Sequence, residues 1–247
     1  MRIALLADPH ANREALTACL EHAADQGVDR HVFLGDLVGY GADPAWTVDT
    51  VAALCQAGAV ALLGNHDEAV VTEVARELHG DALEVIAWTQ SQLDARQLDF
   101  LRRLPLRIEE EGRLWVHANA WDPGSWAYTR SEEDAARSFS ATSARLIACG
   151  HLHSQTLYHR GPTGKVEAFA PVPGVEVPLG ALRRWLVVLA AVGQPRDGNP
   201  AAAYAVHDTQ RGSLTCHRVA YDTGTASRKI REAGLPAWLG ARLEAGG

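Results

Sequence analysis

Apolar runs alternate with helix-spaced stretches along the first quarter of the chain. Residues 2–7 are apolar after the first position and predict a buried strand. Residues 12–26 set Ala15, Leu16, Cys19, Leu20 and Ala23 on one stripe and predict a helix ended by Gly27. A second strand is expected at 31–34, a second helix with proline in its first turn at 44–56, and a third strand at 59–63. A β-α-β-α-β series with short connections implies parallel strands, right-handed crossovers and a ligand site beyond the carboxyl ends of the strands.

The middle, 67–103, is helical in pattern and polar on one face. A hairpin follows, 106–109 with 113–117 around Glu111-Gly112, then a helix opened by Ser131 with Glu132, Glu133 and Asp134 in its first turn, then a strand at 145–149. Beyond His153 the pattern changes to short β segments at 155–159, 165–169, 185–190, 203–206 and 214–220, separated by Gly and Pro turns. These predict a separate mixed or antiparallel sheet packed on the first. The expected fold class is α/β, a four-layer αββα sandwich of two mixed sheets with flanking helices. With no linker, repeat or low-complexity tract to break it, residues 1–247 are expected to form a single domain.

A length of 247 residues with 47% hydrophobic content suffices for one large core. The net charge of -7 argues against a long nucleic acid as partner, so any anionic substrate has to be attracted locally. The opening residues run straight into Asp8 and read as a strand rather than a leader, and the apolar run at 185–192 is far short of the roughly 20 residues that span a bilayer, so no membrane partner is expected. Cys19, Cys55, Cys149 and Cys216 lie far apart with no C-x-x-C pair, neither a disulfide framework nor a zinc ribbon, which fits a reducing, cytoplasmic compartment. Cys19 and Cys55 read as small core residues. Cys149 reads as a buried strand residue rather than a nucleophile.

The chemistry lies where apolar runs stop: Asp8-Pro9-His10, Gly35-Asp36, Gly64-Asn65-His66-Asp67, Trp115-Val116-His117 and Gly150-His151-Leu152-His153. A lone Asp or His at a strand end means little, but oxygen and nitrogen ligands at five successive exits spell a two-metal site. Asp8 and His10 alternate around Pro9, so in an extended loop both point to one side. Gly35, Gly64 and Gly150 each precede a ligand, which implies backbone bends or close approach there. Imidazole and carboxylate ligands without thiolate suit two divalent transition-metal ions such as Mn, Fe, Co, Ni or Zn. Two such ions against the Asp8 and Asp36 charges leave an excess of about two positive charges, enough to draw a phosphate to an acidic protein. Metals roughly 3.5 to 4 Å apart acidify a shared water and clamp the phosphoryl oxygens of an in-line displacement.

In this order the blocks resemble the calcineurin-like metallophosphoesterase superfamily, whose pattern is D-x-H, G-D, G-N-H-D or E, a lone H after a strand, and G-H-x-H. The resemblance covers residues 2–153 and continues loosely through Val192-Gly193-Gln194-Pro195-Arg196-Asp197-Gly198, similar to a segment of the small bacterial phosphodiesterase branch. It implies that Asp8, His10, Asp36 and His153 hold one metal and that Asp36, Asn65, His117 and His151 hold the other, with Asp36 bridging. It also implies that His66 protonates the leaving oxygen or stabilises charge there; the rival reading is a packed or capping histidine at a helix start. The implied activity is hydrolysis of a phosphate ester by a metal-bridging hydroxide, on a small phosphodiester or a nucleotide such as a dinucleoside polyphosphate. A phosphomonoesterase or protein phosphatase is the alternative. A catalytically silent binding scaffold is a third, against which stands the absence of any replaced ligand. One departure is plain: the branch shows Asn-Pro-Gly-Ser where this chain has Val188-Leu189-Ala190-Ala191, so substrate contacts of that loop are not carried over.

Several residues keep two readings. Asn12 either caps the first helix or presents its amide to a phosphate. Arg196 either reaches a phosphate or holds a turn by pairing with an Asp. Tyr40 and Asp43-Pro44 are expected to build a turn rather than touch substrate. Trp115, Trp121, Trp126 and Tyr128 either pack core and loops or form a base-stacking wall, with packing the favoured reading. His22, His31 and His79 carry no distinguishing spacing.

Overall fold

A computed structural model describes residues 1–72 and 80–247. The first elements follow the expected alternation: β1 (Arg2–Leu6), α1 (Arg13–Asp25), β2 (Arg30–Phe33), α2 (Pro44–Gln56) and β3 (Val60–Ala61), with the three strands parallel. The helical middle resolves into α3 (Asn65–Val71), α4 (Asp81–Ser91) and α5 (Ala95–Arg102); residues 73–79 of that stretch, His79 among them, lie outside the described residues. The hairpin β4 (Arg107–Glu110) and β5 (Arg113–Val116), the Ser131-capped α6 (Glu132–Ser140) and β6 (Leu146–Cys149) also stand as expected.

The later strands depart from expectation. They are β7 (Thr156–Arg160), β8 (Val166–Phe169), β9 (Glu176–Pro178), β10 (Arg184–Val188), β11 (Ala202–Asp208) and β12 (Ser213–Val219), followed by α7 (Thr223–Glu232) and α8 (Ala237–Ala245). Instead of forming a sheet of their own, they divide between two six-stranded sheets, ordered β3-β2-β1-β11-β12-β9 and β4-β5-β6-β10-β7-β8. The cause lies in β1, which pairs with β2 on one edge and would leave a bare row of N–H and C=O groups on the other. The buried strand β11 takes that edge, antiparallel, pairing Ile3 with His207 and Leu5 with Ala205. In the other sheet β10 lies parallel to β6 and antiparallel to β7, so both sheets are mixed.

Side-chain alternation then sorts the layers. Ile3 and Leu5 face the second sheet and pack with Trp115, Leu146, Trp185 and Val187, while Ala4 and Leu6 face the helices and pack with Leu16, Cys19, Val48 and Val51. On the far side Leu114, Ile147, Leu186 and Val188 cover Phe139 and Ala135 of α6. The result is the four-layer αββα sandwich of two mixed sheets. Cys149 is buried in β6, its thiol pushed up to about 12 by burial and then by the Asp8 charge, which suits a packed strand residue. Among the described residues no helix is long and apolar enough to cross a membrane.

Candidate metal centre

The loops that leave β1 and β2 do not drift apart; they continue the ladder. Asp8 N–H donates to Gly35 O, His10 N–H to Asp36 O and Ala11 N–H to Leu37 O, at 3.2, 3.0 and 2.9 Å. This zipper holds Asp8, His10 and Asp36 at φ of 55°, 47° and 53°; His151 and His153, at 66° and 59°, share the left-handed region. The expected extended loop around Pro9 is thereby corrected. Each left-handed non-glycine costs on the order of 1–3 kcal/mol and persists only where the surroundings over-determine it, here through the paired loops. The glycines act as proposed from sequence, each for a local reason. Gly35 takes φ 91°, whereas a Cβ on Gly64 would strike Asp36 and one on Gly150 would strike the Asp8 carboxylate.

These bends converge on two buried clusters that share one carboxylate: Asp8, His10, Asp36 and His153, and Asp36, His117 and His151, with potential ligand atoms in each within 4.8 Å of one another. Asp36 Oδ2 is 3.6 Å from His10 Nε2 and 3.4 Å from His117 Nε2, and His153 Nε2 is 3.3 Å from Asp8 Oδ1. Asn65 Oδ1, 3.2 Å from His117 Nε2, completes the second group. The seven sequence-predicted ligands therefore come together.

The outward nitrogens of the four histidines all meet backbone carbonyls. His10 Nδ1 donates to Val38 O at 3.1 Å, His117 Nδ1 to Leu34 O at 2.8 Å, His153 Nδ1 to Gln194 O at 2.6 Å and His151 Nε2 to Trp126 O at 2.9 Å. Since a carbonyl only accepts, this network assigns the tautomers and leaves the inward nitrogens as lone-pair donors. Those nitrogens face one another, His10 with His153 at 3.2 Å and His117 with His151 at 3.1 Å. Lone pairs so placed need a cation between them, and the donor set fits a dinuclear metal site.

Charge favours the same state. Burial works to raise the Asp8 carboxyl, but the charge and hydrogen bond of His153 outweigh it and hold the group at about 2. Burial likewise opposes Asp36, yet His117, His66 and His10 keep it well below the usual carboxylate range. Burial pushes His10 well down and His151 to about 4, so both imidazoles are neutral, the form that can bind a metal. His117 goes the other way: against burial, Asp36 lifts it to about 9, so its inward nitrogen carries a proton that an ion bound there would displace.

Around the clusters stand residues with other tasks. His66 N–H donates to Asp36 Oδ1 at 2.8 Å, its ring lies 5.0 Å from that of His10 and 4.3 Å from that of Tyr40, and it belongs to neither cluster. Burial lowers its pKa, with Asp36 opposing. Tyr40 thus does more than build a turn. Asp67, to which the sequence assigned no role, is fully buried and accepts from the N–H groups of Leu37, Val38 and Gly64 at 3.2, 3.1 and 3.0 Å. It staples the Asp36 loop to the start of α3, and its fixed place in the Gly-Asn-His-Asp block was the available signal.

Asn12 is the cap of α1: its Oδ1 accepts from Ala15 N–H at 3.1 Å, while its Nδ2 donates to Gly193 O at 2.9 Å and Tyr221 Oη at 3.2 Å. Both amide hydrogens are used in this arrangement, which supports the cap reading. The turn pairing of Arg196 with its neighbour is corrected. Asp197 pairs with Arg218, and Arg196 instead holds Gln194 Oε1 with its Nε and Nη2 at 3.2 and 3.0 Å and lies 5.9 Å over the Tyr40 ring. The aromatic group divides. Trp115 is core and Trp121 packs under Arg137, but the Trp126 ring is 5.7 Å from that of His117 and Tyr128 stacks on His151 at 4.3 Å.

Comparison with known proteins agrees with this geometry. The model of the calcineurin-like phosphoesterase superfamily domain matches residues 1–212. An uncharacterized protein of Methanocaldococcus jannaschii is 32% identical over 255 residues, covering 98% of this chain and 96% of that one. The crystal structure of a metallophosphoesterase from Sphaerobacter thermophilus superposes with a TM-score of 0.87 at 35% identity, covering 100% of this chain and 99% of that one. A symmetrical bis(5'-nucleosyl)-tetraphosphatase of Ralstonia nicotianae is 40% identical over 99 residues, 37% of this chain and 34% of that protein.

Proposed function

The chain belongs to the calcineurin-like phosphoesterase superfamily and is a phosphoesterase hydrolase, and from that premise we propose that it cleaves a small phosphodiester or a nucleotide at a two-metal centre. The observation that carries this reading is the shared carboxylate: one Asp36 oxygen lies within 3.6 Å of a histidine from each buried cluster. Asp8, His10, Asp36 and His153 would hold one divalent ion, and Asp36, Asn65, His117 and His151 the other. Ions bound there supply positive charge to the phosphoryl oxygens and acidify a water.

The chain's own residues do the rest. The carbonyls of Val38, Leu34, Gln194 and Trp126 keep four imidazoles aimed inward, so no reorganisation is needed when substrate arrives. His66, held against Asp36 by its N–H yet outside both clusters, gives a proton to the leaving oxygen. Arg196, tied to Gln194, adds a cation beside Tyr40 and balances the phosphate charge. Similarity to the Ralstonia nicotianae tetraphosphatase supports a nucleotide among the substrates.

The test is a panel of an aryl phosphodiester, an aryl phosphomonoester and a dinucleoside polyphosphate, each with Mn, Fe, Co, Ni or Zn, alongside metal counting. Two ions per chain and chelator-sensitive cleavage of the diester or polyphosphate are expected. Cleavage of the monoester alone would move the protein to the phosphomonoesterases. Two bound ions with no turnover would leave a binding scaffold.

A further inference from the structure

Past His66 the wall of the site changes character. A cavity of about 330 Å³ opens there, lined by Ala69 of α3, by Val85 and Ile86 of α4 and by Tyr40 and Trp126. Its polar margin is Asn65, His66 and Glu68, and none of its described lining residues is a Lys or Arg. The volume lies at the small end of the ~300–1,000 Å³ span of small-molecule pockets.

The walls are fixed before any ligand arrives. Trp126 Nε1–H donates to Glu68 Oε2 at 2.8 Å, and the Trp126 carbonyl accepts from His151 at 2.9 Å, so one residue serves as cavity wall and ligand support. The Tyr40 ring lies against His66, and Val85 and Ile86, 2% and 3% exposed, belong to packed apolar clusters. A second phosphate entering from the His66 side would give up its hydration, and among the described residues the cation beside the cavity, Arg196 over Tyr40, is already tied to Gln194. A flat neutral ring would gain apolar burial and aromatic contact.

We infer that this cavity is the leaving-group subsite and that it takes a neutral aromatic group, a nucleobase or aryl ring carried on the departing alcohol. The inference rests on the hydrolysis proposed above. In that step a water oxygen bonds to phosphorus, and the phosphorus–oxygen bond to the alcohol breaks with its electron pair on the alcohol oxygen. That oxygen takes a proton from His66; one water proton restores His66 and the other leaves with the product phosphate or to solvent.

Two methylphosphonate monoesters test this, one of ethanol and one of 2-naphthylmethanol, because the carbon–phosphorus bond leaves a single group that can depart. The manganese-loaded protein should favour the naphthylmethyl ester in kcat/KM by about tenfold or more. Ala82 lines the same cavity from an exposed position. Ala82→Trp, which fills the space, should bring the ratio near one by lowering kcat/KM for the naphthylmethyl ester, and Ala82→Ser should keep the ratio. Independently of turnover, ligand-observed NMR should detect 2-naphthylmethanol on the wild type and the Ser variant but not on the Trp variant. Equal kcat/KM for the two esters without binding of the alcohol overturns the subsite and leaves the phosphoesterase reading intact. If the two-metal protein cleaves neither ester nor an aryl phosphodiester, the hydrolysis reading fails and the subsite with it. Should Ala82→Trp lose the ethyl ester too, inhibition decides: 2-naphthylmethanol must compete with the ethyl ester on the wild type, and absence of competition sinks the inference.

Discussion

The two clusters that share Asp36 are built in different ways. On the His10 and His153 side both imidazoles are 1% exposed, and they are clamped by the backbones of the Val38 and Gln194 loops. On the His117 and His151 side, His151 is 7% exposed and hangs from the Trp126 carbonyl, with Asn65 and the cavity beyond His66 next to it. The first side is closed apart from the His66 and Tyr40 rings beside His10; the second opens at His151, next to Tyr128 and the Trp126 carbonyl. The cavity walled by Tyr40, Asn65, His66 and Trp126 touches both sides, while the tighter backbone clamp lies on the first.

The sharpest way to break that division is Asp36→Asn against His151→Ala. Asp36 serves both clusters, so its substitution should remove both ions and reduce turnover to background, whereas His151→Ala should cost one ion only, with metal affinity at that position down more than about 100-fold. Metal counting by atomic emission reads this directly, and loss of both ions from His151→Ala would show that the two sides are not separable. His66→Ala comes next. Metal content should stay normal while an alkyl or nucleoside ester slows by about 10² to 10⁴ fold and an activated nitrophenyl ester slows far less, since a good leaving group needs little protonation. Equal slowing of both esters would assign His66 to phosphate binding instead.

Smaller effects probe the supports. Asp67→Asn places an amide where three N–H groups expect an oxygen, and should lower stability by about 1–3 kcal/mol in urea unfolding while loosening the second side. An unchanged midpoint would remove the staple from the account. Asn12→Ala should cost about 1 kcal/mol as a lost cap. Its KM should not move, because both amide hydrogens are already used; a raised KM would favour the phosphate-binding reading.

The candidate ligands were legible as a group because their signal is local: each sits where an apolar run stops, and a carboxylate or imidazole there has few structural uses. Their conformation was not. Nothing in Asp8-Pro9-His10 announces a left-handed loop, which is imposed by hydrogen bonds to a segment some 27 residues away. The four carbonyls that orient the histidines were hidden for a related reason, since a backbone acceptor has no residue type. The partition of the late strands failed on β11, whose run Ala202–Asp208 says that both faces are buried but not which edge it will join. The last helices escaped notice because α7 buries only Ala226, Ser227 and Ile230, too sparse a stripe to read against its charged residues.

The bond from His153 to the Gln194 carbonyl makes the motif blocks insufficient as a transplantable cassette. A fragment ending just after His153 would carry every candidate ligand, yet it would lack the carbonyl that sets the His153 tautomer, the strand β11 that pairs β1 and the strand β10 that pairs β6. Grafting the five blocks onto another scaffold should therefore transfer the donor atoms without their aim. An engineer seeking a minimal version of this centre has to keep the Gln194 loop and β11, and can look for savings at the exposed ends of the second sheet instead.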